Sequence, residues 1–241
     1  MQTKISLLLC FIGLALFSNA QHSDVYKNKK WSFSLFFSPS YAYRSVTVSD
    51  NSLQWMADLN NEADKPKTGY STGLSILYRL NKPIELETGV LYSNKGFRFE
   101  FDEFVTPESQ PDPSIPENAS TTYSYRYLTI PVKTNWFFLD RNLKLYLTSG
   151  LSGNFFLDAV HKSELEFEDR VEKHSYHDDA THYKKFHVDV LAGLGAEIPV
   201  LKRLNLRVEP HYRRAVTSMT DSSIKLYCWS AGVKTAIYLR L

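Results

Sequence analysis

Cysteine is scarce in this chain of 241 residues, which contains only Cys10 and Cys228. Cys10 lies in an N-terminal apolar run that we expect to be removed, so the remaining chain has no second cysteine for an internal disulfide. An excess of charge is missing too, because 28 Lys and Arg face 26 Asp and Glu, a formal net charge of +2. The sequence also lacks a glycine-rich phosphate loop and a basic aromatic stripe, so nothing indicates nucleic-acid binding.

Long apolar runs are missing beyond the N-terminus. The first residues have the pattern of a secretory signal peptide, with an apolar run after Lys4 and small side chains at the two cleavage positions, Ser18 and Ala20. A membrane anchor needs about 20 apolar residues, and this run is shorter. We therefore expect a signal peptide at residues 1–20, a periplasmic linker at 21–30 and one domain at 31–241. Since no later segment is suited to a spanning helix, insertion into a membrane would require a β-barrel.

Alternation of apolar and polar side chains is abundant. In the stretch 127–138 the apolar side chains share one parity: Leu128, Ile130, Val132, Trp136 and Phe138. Successive residues of a strand point to opposite faces, so a period of two predicts a strand with one apolar face. The same pattern recurs in seven other segments: 31–43, 70–80, 84–92, 143–156, 186–198, 204–212 and 227–241. The opposite faces are too polar and glycine-rich to pack a second sheet, which favours lipid outside and a polar interior.

These segments predict an all-β protein, an eight-stranded antiparallel up-and-down transmembrane β-barrel. Long connections, expected at 45–67, 102–121, 157–183 and after 212, alternate with short turns. Outer-membrane barrels have short periplasmic turns and longer outer loops, so both termini are expected in the periplasm.

Two local irregularities are expected within the strands. The apolar parity is expected to switch near Gly96, because Phe97, Phe99 and Phe101 follow the polar parity of 85–93, and we interpret this as a bulge. Each proline inside a predicted strand should mark a strand end or a bulge, because proline cannot donate to the ladder. These prolines are Pro39, Pro131, Pro199 and Pro210.

Outward aromatic side chains fall into two bands, one at each end of the strands. The turn-side band consists of Trp31, Tyr78, Trp136 and Phe138. The loop-side band consists of Tyr41, Tyr70, Tyr92, Phe186, Tyr212, Tyr227 and Trp229. From Trp31 to Tyr41 a strand rises about 33 Å, which a tilt near 40° reduces to roughly 25 Å, the height of the lipid band. We interpret the bands as aromatic girdles at the two membrane interfaces.

Several segments together resemble the PorT-like outer-membrane β-barrel family of gram-negative bacteria. They are the aromatic first strand, Tyr127-Leu128-Thr129-Ile130-Pro131-Val132-Lys133, Gly150-Leu151-Ser152-Gly153 and the glycine-spaced strand from Asp189 to Glu197. The central family motif usually reads Tyr-Leu-Glu-Ile-Pro, whereas Thr129 replaces the acidic residue here. The resemblance covers about 31–241 and implies a small eight-stranded barrel without catalytic residues. Some relatives assist a protein-secretion and gliding apparatus.

The inward parity of the predicted strands collects many charges. They are Arg79, Glu85, Glu87, Lys133, Lys144, Asp189, Glu197, Arg207, Glu209, Lys234 and Arg240. Isolated charges in so narrow an interior would be costly, so we expect a paired network that plugs the barrel. The alternative is an ion or proton path through the interior.

The predicted long loops carry two further candidate sites. Imidazoles and carboxylates before the sixth predicted strand could hold zinc or copper, although their spacing matches no recognised site and a solvated loop is the simpler interpretation. They are His161, His174, His177, Asp178, Asp179, His182 and His187. Other acidic residues would make the outer face acidic and could bind divalent cations shared with lipopolysaccharide, or simply keep the loops solvated. They are Asp102, Glu103, Glu108, Asp112, Glu117, Glu164, Glu166, Glu168, Asp169 and Glu172.

The function predicted from these observations is a non-enzymatic protein of the cell outer membrane with a charge-filled interior, in a structural, interaction or secretion-accessory role. Its expected partners are outer-membrane lipids, lipopolysaccharide and possible proteins bound through the outer loops, with no cofactor or metal. One alternative is a lipid-modifying enzyme that uses His211, Glu209 and Ser218 near the rim. The other is a soluble, secreted ligand-binding barrel.

Overall fold

The computed structural model describes residues 30–48, 52, 54–102, 116–178, 183–201 and 203–241. The predicted signal peptide and nearly all of the predicted linker lie outside the described residues. Within them the chain forms nine β-strands and one α-helix: β1 Trp31–Val48, α1 Gln54–Ala63, β2 Asp64–Arg79, β3 Ile84–Asp102, β4 Asn118–Asp140, β5 Lys144–Glu166, β6 Val171–Asp178, β7 Phe186–Pro199, β8 Leu204–Ala215 and β9 Ile224–Arg240. In the described part of the chain, no helix is long and apolar enough to cross a membrane.

Eight of the strands close into a ring. Antiparallel pairing runs in the order β4, β3, β2, β1, β9, β8, β7 and β5, and pairing between β4 and β5 completes the circle. The ninth strand, β6, pairs with β5 and lies outside the ring. The short connections and both ends of the described barrel lie at one end of the ring, where the Leu241 amide donates to the Trp31 carbonyl. The predicted eight-stranded antiparallel barrel is confirmed.

Large apolar side chains cover the outside of the ring. Leu35, Leu74, Val132 and Leu151 are each more than half exposed, whereas inward Ser34 and Lys133 are buried. A continuous apolar belt of this kind would be unstable in water, and lipid satisfies it. The alternation seen in the sequence therefore corresponds to a lipid-facing outside and a polar inside.

On the loop side the strands run further than predicted. The expected loop at 157–183 is wrong over most of its length, because β5 continues to Glu166 and forms a hairpin with β6. Similarly, β4 begins at Asn118 and pairs along Asn118–Arg126 with both β3 and β5. These extensions carry polar side chains on their outward face, such as Thr122 opposite Lys162, so they lack the apolar parity that marks the lipid-facing parts. We call the parts of β3, β4 and β5 that extend beyond the ring, together with β6, the loop-side sheet.

The predicted loop at 45–67 contains helix α1, which replaces a missing strand partner. Pairing of β1 with β2 ends at Ala42 and Lys67. Beyond that point the side-chain amide of Asn61 accepts a hydrogen bond from the Val46 amide at 2.9 Å and donates one to the Val46 carbonyl at 3.1 Å. The Tyr43 hydroxyl also donates to the Asn61 carbonyl at 2.8 Å. The helix end thus satisfies backbone groups of β1 that β2 no longer reaches.

The predicted switch of parity near Gly96 is wrong. Phe97 is 1% exposed and points inward on the same parity as Glu85 and Glu87. An irregularity does occur there, but it is a register shift between Pro66 and Tyr70 of the neighbouring strand β2. Beyond this level aromatic side chains fill much of the interior, and β3 does not reverse its faces.

Three of the four prolines lie inside continuous strands, contrary to the prediction. Pro39, Pro131 and Pro210 fall in β1, β4 and β8, while Pro199 does end β7. Beside each internal proline one ladder omits pairings without a change of register, as expected when a single amide hydrogen is missing. Around Pro131 the hydroxyl of Thr88 donates to the proline carbonyl at 2.8 Å and helps to hold the two strands together.

A charge on the lipid face should impair insertion. Val132 lies in the middle of β4 and is 64% exposed, so Val132→Arg should destabilise the barrel in lipid by about 2–4 kcal/mol. Urea titration of the protein refolded into vesicles measures this difference. The matched control is Glu164→Arg on the loop-side sheet, which should change stability little. Equal effects of the two substitutions would contradict the lipid-facing assignment.

Candidate functional site

Ten charged side chains meet inside the half of the barrel that lies near the short turns. The strands β2, β3, β4, β5, β7, β8 and β9 each contribute to this group, which we call the turn-side network. Its members are Arg79, Glu85, Glu87, Lys133, Lys144, Glu197, Arg207, Glu209, Lys234 and Arg240.

Glu197 and Arg207 form the first centre of the turn-side network. Two nitrogens of the Arg207 guanidinium lie 2.5 and 2.7 Å from Oε2 of Glu197, and its Nη1 lies 2.7 Å from Oε1 of Glu85. Arg240 and Lys144 contact the other oxygen of Glu197, the lysine at 3.4 Å. Arg207 thus bridges carboxylates of β3 and β7 across the interior.

Glu87 and Glu209 form the second centre. Lys133 Nζ lies 3.1 Å from Glu87 and 3.2 Å from Glu209, and Lys234 contacts the other oxygen of Glu87. Tyr146 donates its hydroxyl hydrogen to Glu209 at 2.9 Å. The amide of Asn135 donates to both Glu85 and Glu87, at 3.2 Å each, so the two centres form one hydrogen-bonded unit.

Asp189 belongs to a separate group nearer the loops. Its Oδ2 contacts Lys95 Nζ, and its Oδ1 lies 3.2 Å from Nε2 of His187. Lys95 also donates to Oδ1 of Asn154 at 3.2 Å. The sequence prediction missed Lys95, although its odd number gives it the inward parity of Glu85 and Glu87. His187, one of the residues of the predicted metal site, lies in the barrel interior and is 1% exposed.

An aromatic cluster fills the interior at the loop side. We call it the loop-side cluster, and its buried members are Val46, Phe97, Tyr125, Tyr127, Ala159, Met219, Leu226 and Cys228. Phe97 stacks on Tyr123 with ring centroids 4.4 Å apart, and the Arg44 guanidinium lies 3.6 Å from the Phe97 centroid while it binds Asp64. The sequence prediction missed this cluster because it treated the inward parity as polar throughout.

The candidate metal ligands are spread over different sites. His161 lies 3.6 Å from Asp178, and His174 lies 3.7 Å from Glu172. Asp179 and His182 lie outside the described residues. Among the residues that the structure describes, no three His, Cys, Asp or Glu side chains come together as a metal site.

Several acidic residues of the predicted acidic face are paired with cations. Glu164 contacts Lys173 at 2.8 Å, and Glu172 contacts Arg170 at 2.8 Å. Of the other predicted acidic loop, Glu103, Glu108 and Asp112 lie outside the described residues. The described part of this surface therefore carries mixed charge, which gives little support to an acidic face.

The three residues of the enzyme alternative are not brought together. His211 and Glu209 point into the barrel and are at least nine-tenths buried, and His211 Nδ1 lies 3.3 Å from the Glu209 carbonyl. The Ser218 hydroxyl instead donates to the Thr220 carbonyl at 3.0 Å. This arrangement does not present a nucleophile and a base to a lipid.

The outward aromatic side chains contact one another in two bands. On the turn side, Trp31 packs on Tyr78 with centroids 4.7 Å apart. On the loop side, Trp229 lies 5.9 Å from Tyr212, and Tyr70 lies 6.0 Å from Tyr92. Trp136 and Tyr41 are also outward, each at least half exposed.

Removal of a bridging cation should destabilise the barrel strongly. Arg207→Met leaves Glu85 without its closest cation and removes one of the three cations that contact Glu197, so we expect a loss of about 3–5 kcal/mol. Denaturant titration in detergent micelles measures the loss. Arg126→Met is the matched control, because Arg126 pairs with Asp158 on the outward face, where a pair contributes about 0–1 kcal/mol. Equal losses would mean that the interior pairs are solvated.

Acid should loosen the hairpin of β5 and β6. Burial lowers the pKa of the His161 imidazole below its usual 6.5, and Asp178 offsets this only in part. The unfolded chain therefore binds the proton more tightly than the folded one. Neutral His161 makes its full contribution to stability above pH 6.5. That contribution is lost as the pH falls from 6.5 through the lowered pKa of the folded state.

Hydrogen exchange of the hairpin amides, compared at neutral pH and near pH 5, measures this loosening. His161→Phe keeps a ring beside Tyr123, whose centroid lies 4.4 Å away, and should remove most of the pH dependence. An unchanged pH dependence in this variant would assign the effect to other groups.

Comparison with known proteins is consistent with this architecture. The sequence matches the family described as outer membrane protein beta-barrel domain over residues 19–221. No curated protein sequence matches the chain. Neisserial surface protein A is similar in fold, with 13% identity, 87% of this chain and 97% of that chain covered, and a TM-score of 0.42.

Two other solved structures are similar at the same level. The outer membrane protease OmpT from Escherichia coli has 9% identity, covers 93% of this chain and 100% of its own, and has a TM-score of 0.44. The N-terminal β-barrel domain of Pseudomonas aeruginosa OprF has 12% identity, 88% and 98% coverage, and a TM-score of 0.36. These likenesses carry no information about activity. The family match covers most of the chain, which therefore belongs to the outer membrane protein beta-barrel domain family and is a protein of the outer membrane.

Proposed function

We propose that this chain is a non-enzymatic outer-membrane protein whose barrel is closed to solutes and whose loop side presents an interaction surface. The observation that supports it most directly is that two separate layers of side chains fill the barrel interior, one above the other along the barrel axis. The turn-side network occupies one half and the loop-side cluster occupies the other. An eight-stranded barrel is just wide enough for its own side chains, so two such layers leave no continuous aqueous channel through the part of the barrel that the structure describes.

The turn-side network serves as a plug because its members hold one another. Glu85, Glu87, Glu197 and Glu209 are each at most 4% exposed and each contacts at least one cation. An ion that entered would have to separate such pairs, and an uncompensated charge in this environment is costly. The network therefore favours a static closure over an ion or proton path.

The loop-side sheet is the surface that we propose for protein partners. Its exposed charges form pairs on the sheet itself, such as Arg98 with Glu100 at 3.0 Å and Lys173 with Glu164 at 2.8 Å. Such a surface is ordered and mixed in charge, so it presents fixed polar groups to a partner. With the short turns and both termini in the periplasm, this sheet projects to the outside of the cell.

The two aromatic bands support outer-membrane lipids and lipopolysaccharide as the surrounding partners. Trp31 and Tyr78 would lie at the periplasmic interface, and Tyr212 and Trp229 at the outer one, where amphipathic rings are stable. No cofactor or metal is part of this proposal. A soluble, secreted barrel does not fit the apolar belt between the bands, since that belt would face water.

A PorT-like role in secretion is the finer proposal. The position that is usually acidic in that family holds Thr129, which lies inside the barrel, fully buried. Its hydroxyl donates to Asn154 at 2.8 Å, beside the Lys95 group. The departure from the family motif thus affects an interior position and leaves the outer surface of the loop-side sheet unchanged.

Planar-bilayer recording tests the closed interior. The full chain, inserted into a planar membrane, should show no steady single-channel current, because both interior layers must open before ions pass. A water-filled porin in the same membranes shows that the assay detects conduction. Steady, sizeable currents from the wild-type protein would contradict the proposal and favour an ion path through the turn-side network.

A further inference from the structure

Arg213 is the exception among the buried charges of the barrel interior. It is 7% exposed, and among the described residues it makes no hydrogen bond or ion pair. Asp189, Glu209 and Glu87 act on it through their charges without contacting it. A guanidinium carries five hydrogen-bond donors and no acceptor, so its surroundings must supply an acceptor.

The pairing of β8 with its neighbours defines the surroundings of Arg213. Its register partners are Leu191 on β7 and Ser230 on β9, both buried. His211 lies two residues earlier on the same inward face of β8, 9% exposed. Ser230 and His211 can each donate a hydrogen bond, and neither brings a negative charge next to the guanidinium.

The balance of buried charge changes along the barrel. Outside the turn-side network, the buried acids of the described residues are Asp64 and Asp189, and the buried Lys and Arg are Lys67, Lys95 and Arg213. Arg44 contacts Asp64 and Lys95 contacts Asp189, so both acids are already engaged. Lys67 has neutral acceptors, Asn94 at 2.8 Å and Ser124 at 2.5 Å. Among these buried cations of the described residues, Arg213 is therefore the one that contacts neither an acid nor a neutral acceptor.

We propose that the interior binds a small inorganic anion such as chloride, held by the Arg213 guanidinium with Ser230 and His211 as neighbouring donors. An anion supplies the acceptor and also neutralises the charge, whereas water supplies only the acceptor. The site lies between the turn-side network and the loop-side cluster, which limits the ligand to a small ion. The bound anion would complete the pairing of the interior, which goes beyond the proposed closure of the barrel.

Diffraction from crystals of the full chain grown in bromide tests the site directly. Bromide substitutes for chloride and gives an anomalous signal. We expect an anomalous peak within hydrogen-bond distance of the Arg213 nitrogens. Water alone at that position, or bromide found only on the outer surface, would overturn the proposal.

Thermal unfolding in detergent gives an independent measurement. Chloride, compared with gluconate at equal ionic strength, should stabilise the wild-type protein in a saturable manner. Arg213→Gln should weaken the apparent chloride affinity about tenfold or more, as expected for loss of a charge-assisted hydrogen bond. The matched control is Arg214→Gln, at the next residue, which is exposed and should leave the affinity unchanged.

The variants separate anion binding from general stability. Arg213→Lys keeps the positive charge and should retain part of the chloride effect, so it replaces Arg213→Gln if that variant does not fold. Chloride stabilisation that persists undiminished in Arg213→Gln, or that is lost equally in Arg214→Gln, would overturn the proposal. Neither result would affect the planar-bilayer test of the closed barrel.

Discussion

Backbone amides and carbonyls have no water to bind in the centre of a bilayer, and this constraint governs the whole structure. Each group must find a partner on a neighbouring strand, so the sheet has to close on itself. Pairing of β4 with β5 completes that closure here. Once eight strands form the ring, the interior is narrow, and every inward side chain must find its partner among the others.

The two halves of the interior satisfy that requirement by different chemistry. In the turn-side half ion pairs join the strands, and Arg207 and Lys133 each contact two carboxylates from different strands. In the loop-side half aromatic packing joins them, because Phe97, Tyr125 and Tyr127 belong to one buried cluster. Cross-barrel ion pairs and aromatic packing both depend on several strands at once, so each half holds the ring together as well as closing it. The loop-side cluster also supports the strand extensions, since Tyr123 and Phe99 of the loop-side sheet pack against it.

The parts of the fold that meet lipid were predictable from the sequence, and the parts that do not were harder to predict. Outward Leu128 and Val132 are followed by inward Thr129 and Lys133, because the outside of the barrel faces lipid and its interior is polar. This contrast between the two faces gives a clear period of two. Beyond the bilayer that contrast is lost, because water solvates one face of the loop-side sheet and aromatic packing covers the other. The hairpin of β5 and β6, helix α1 and the inward position of Phe97 were therefore missed.

The interior residues were predicted with similar limits. Parity alone identified the inward charges such as Glu197 and Arg207, because a residue's face depends only on its number along a regular strand. Which charges contact which could not be predicted, since Arg207 and Glu85 are 122 residues apart in sequence. The same limit applies to Lys95, which contacts Asp189, and to Arg213, which contacts no acid among the described residues. This difference depends on which side chains the facing strands place near each of them.

Alternation also explains how a membrane protein can have a mean hydropathy of −0.30. Each strand carries lipid-facing residues at every second position only, so the polar interior dilutes its hydrophobicity along the sequence. A segment such as β4, with Lys133 and Asn135 between Val132 and Trp136, would be a poor spanning helix, because both charged and polar side chains would then face lipid. The interior charges therefore have two physical effects. They keep the unfolded chain polar enough to remain in water, and they pair with one another only when the eight strands close.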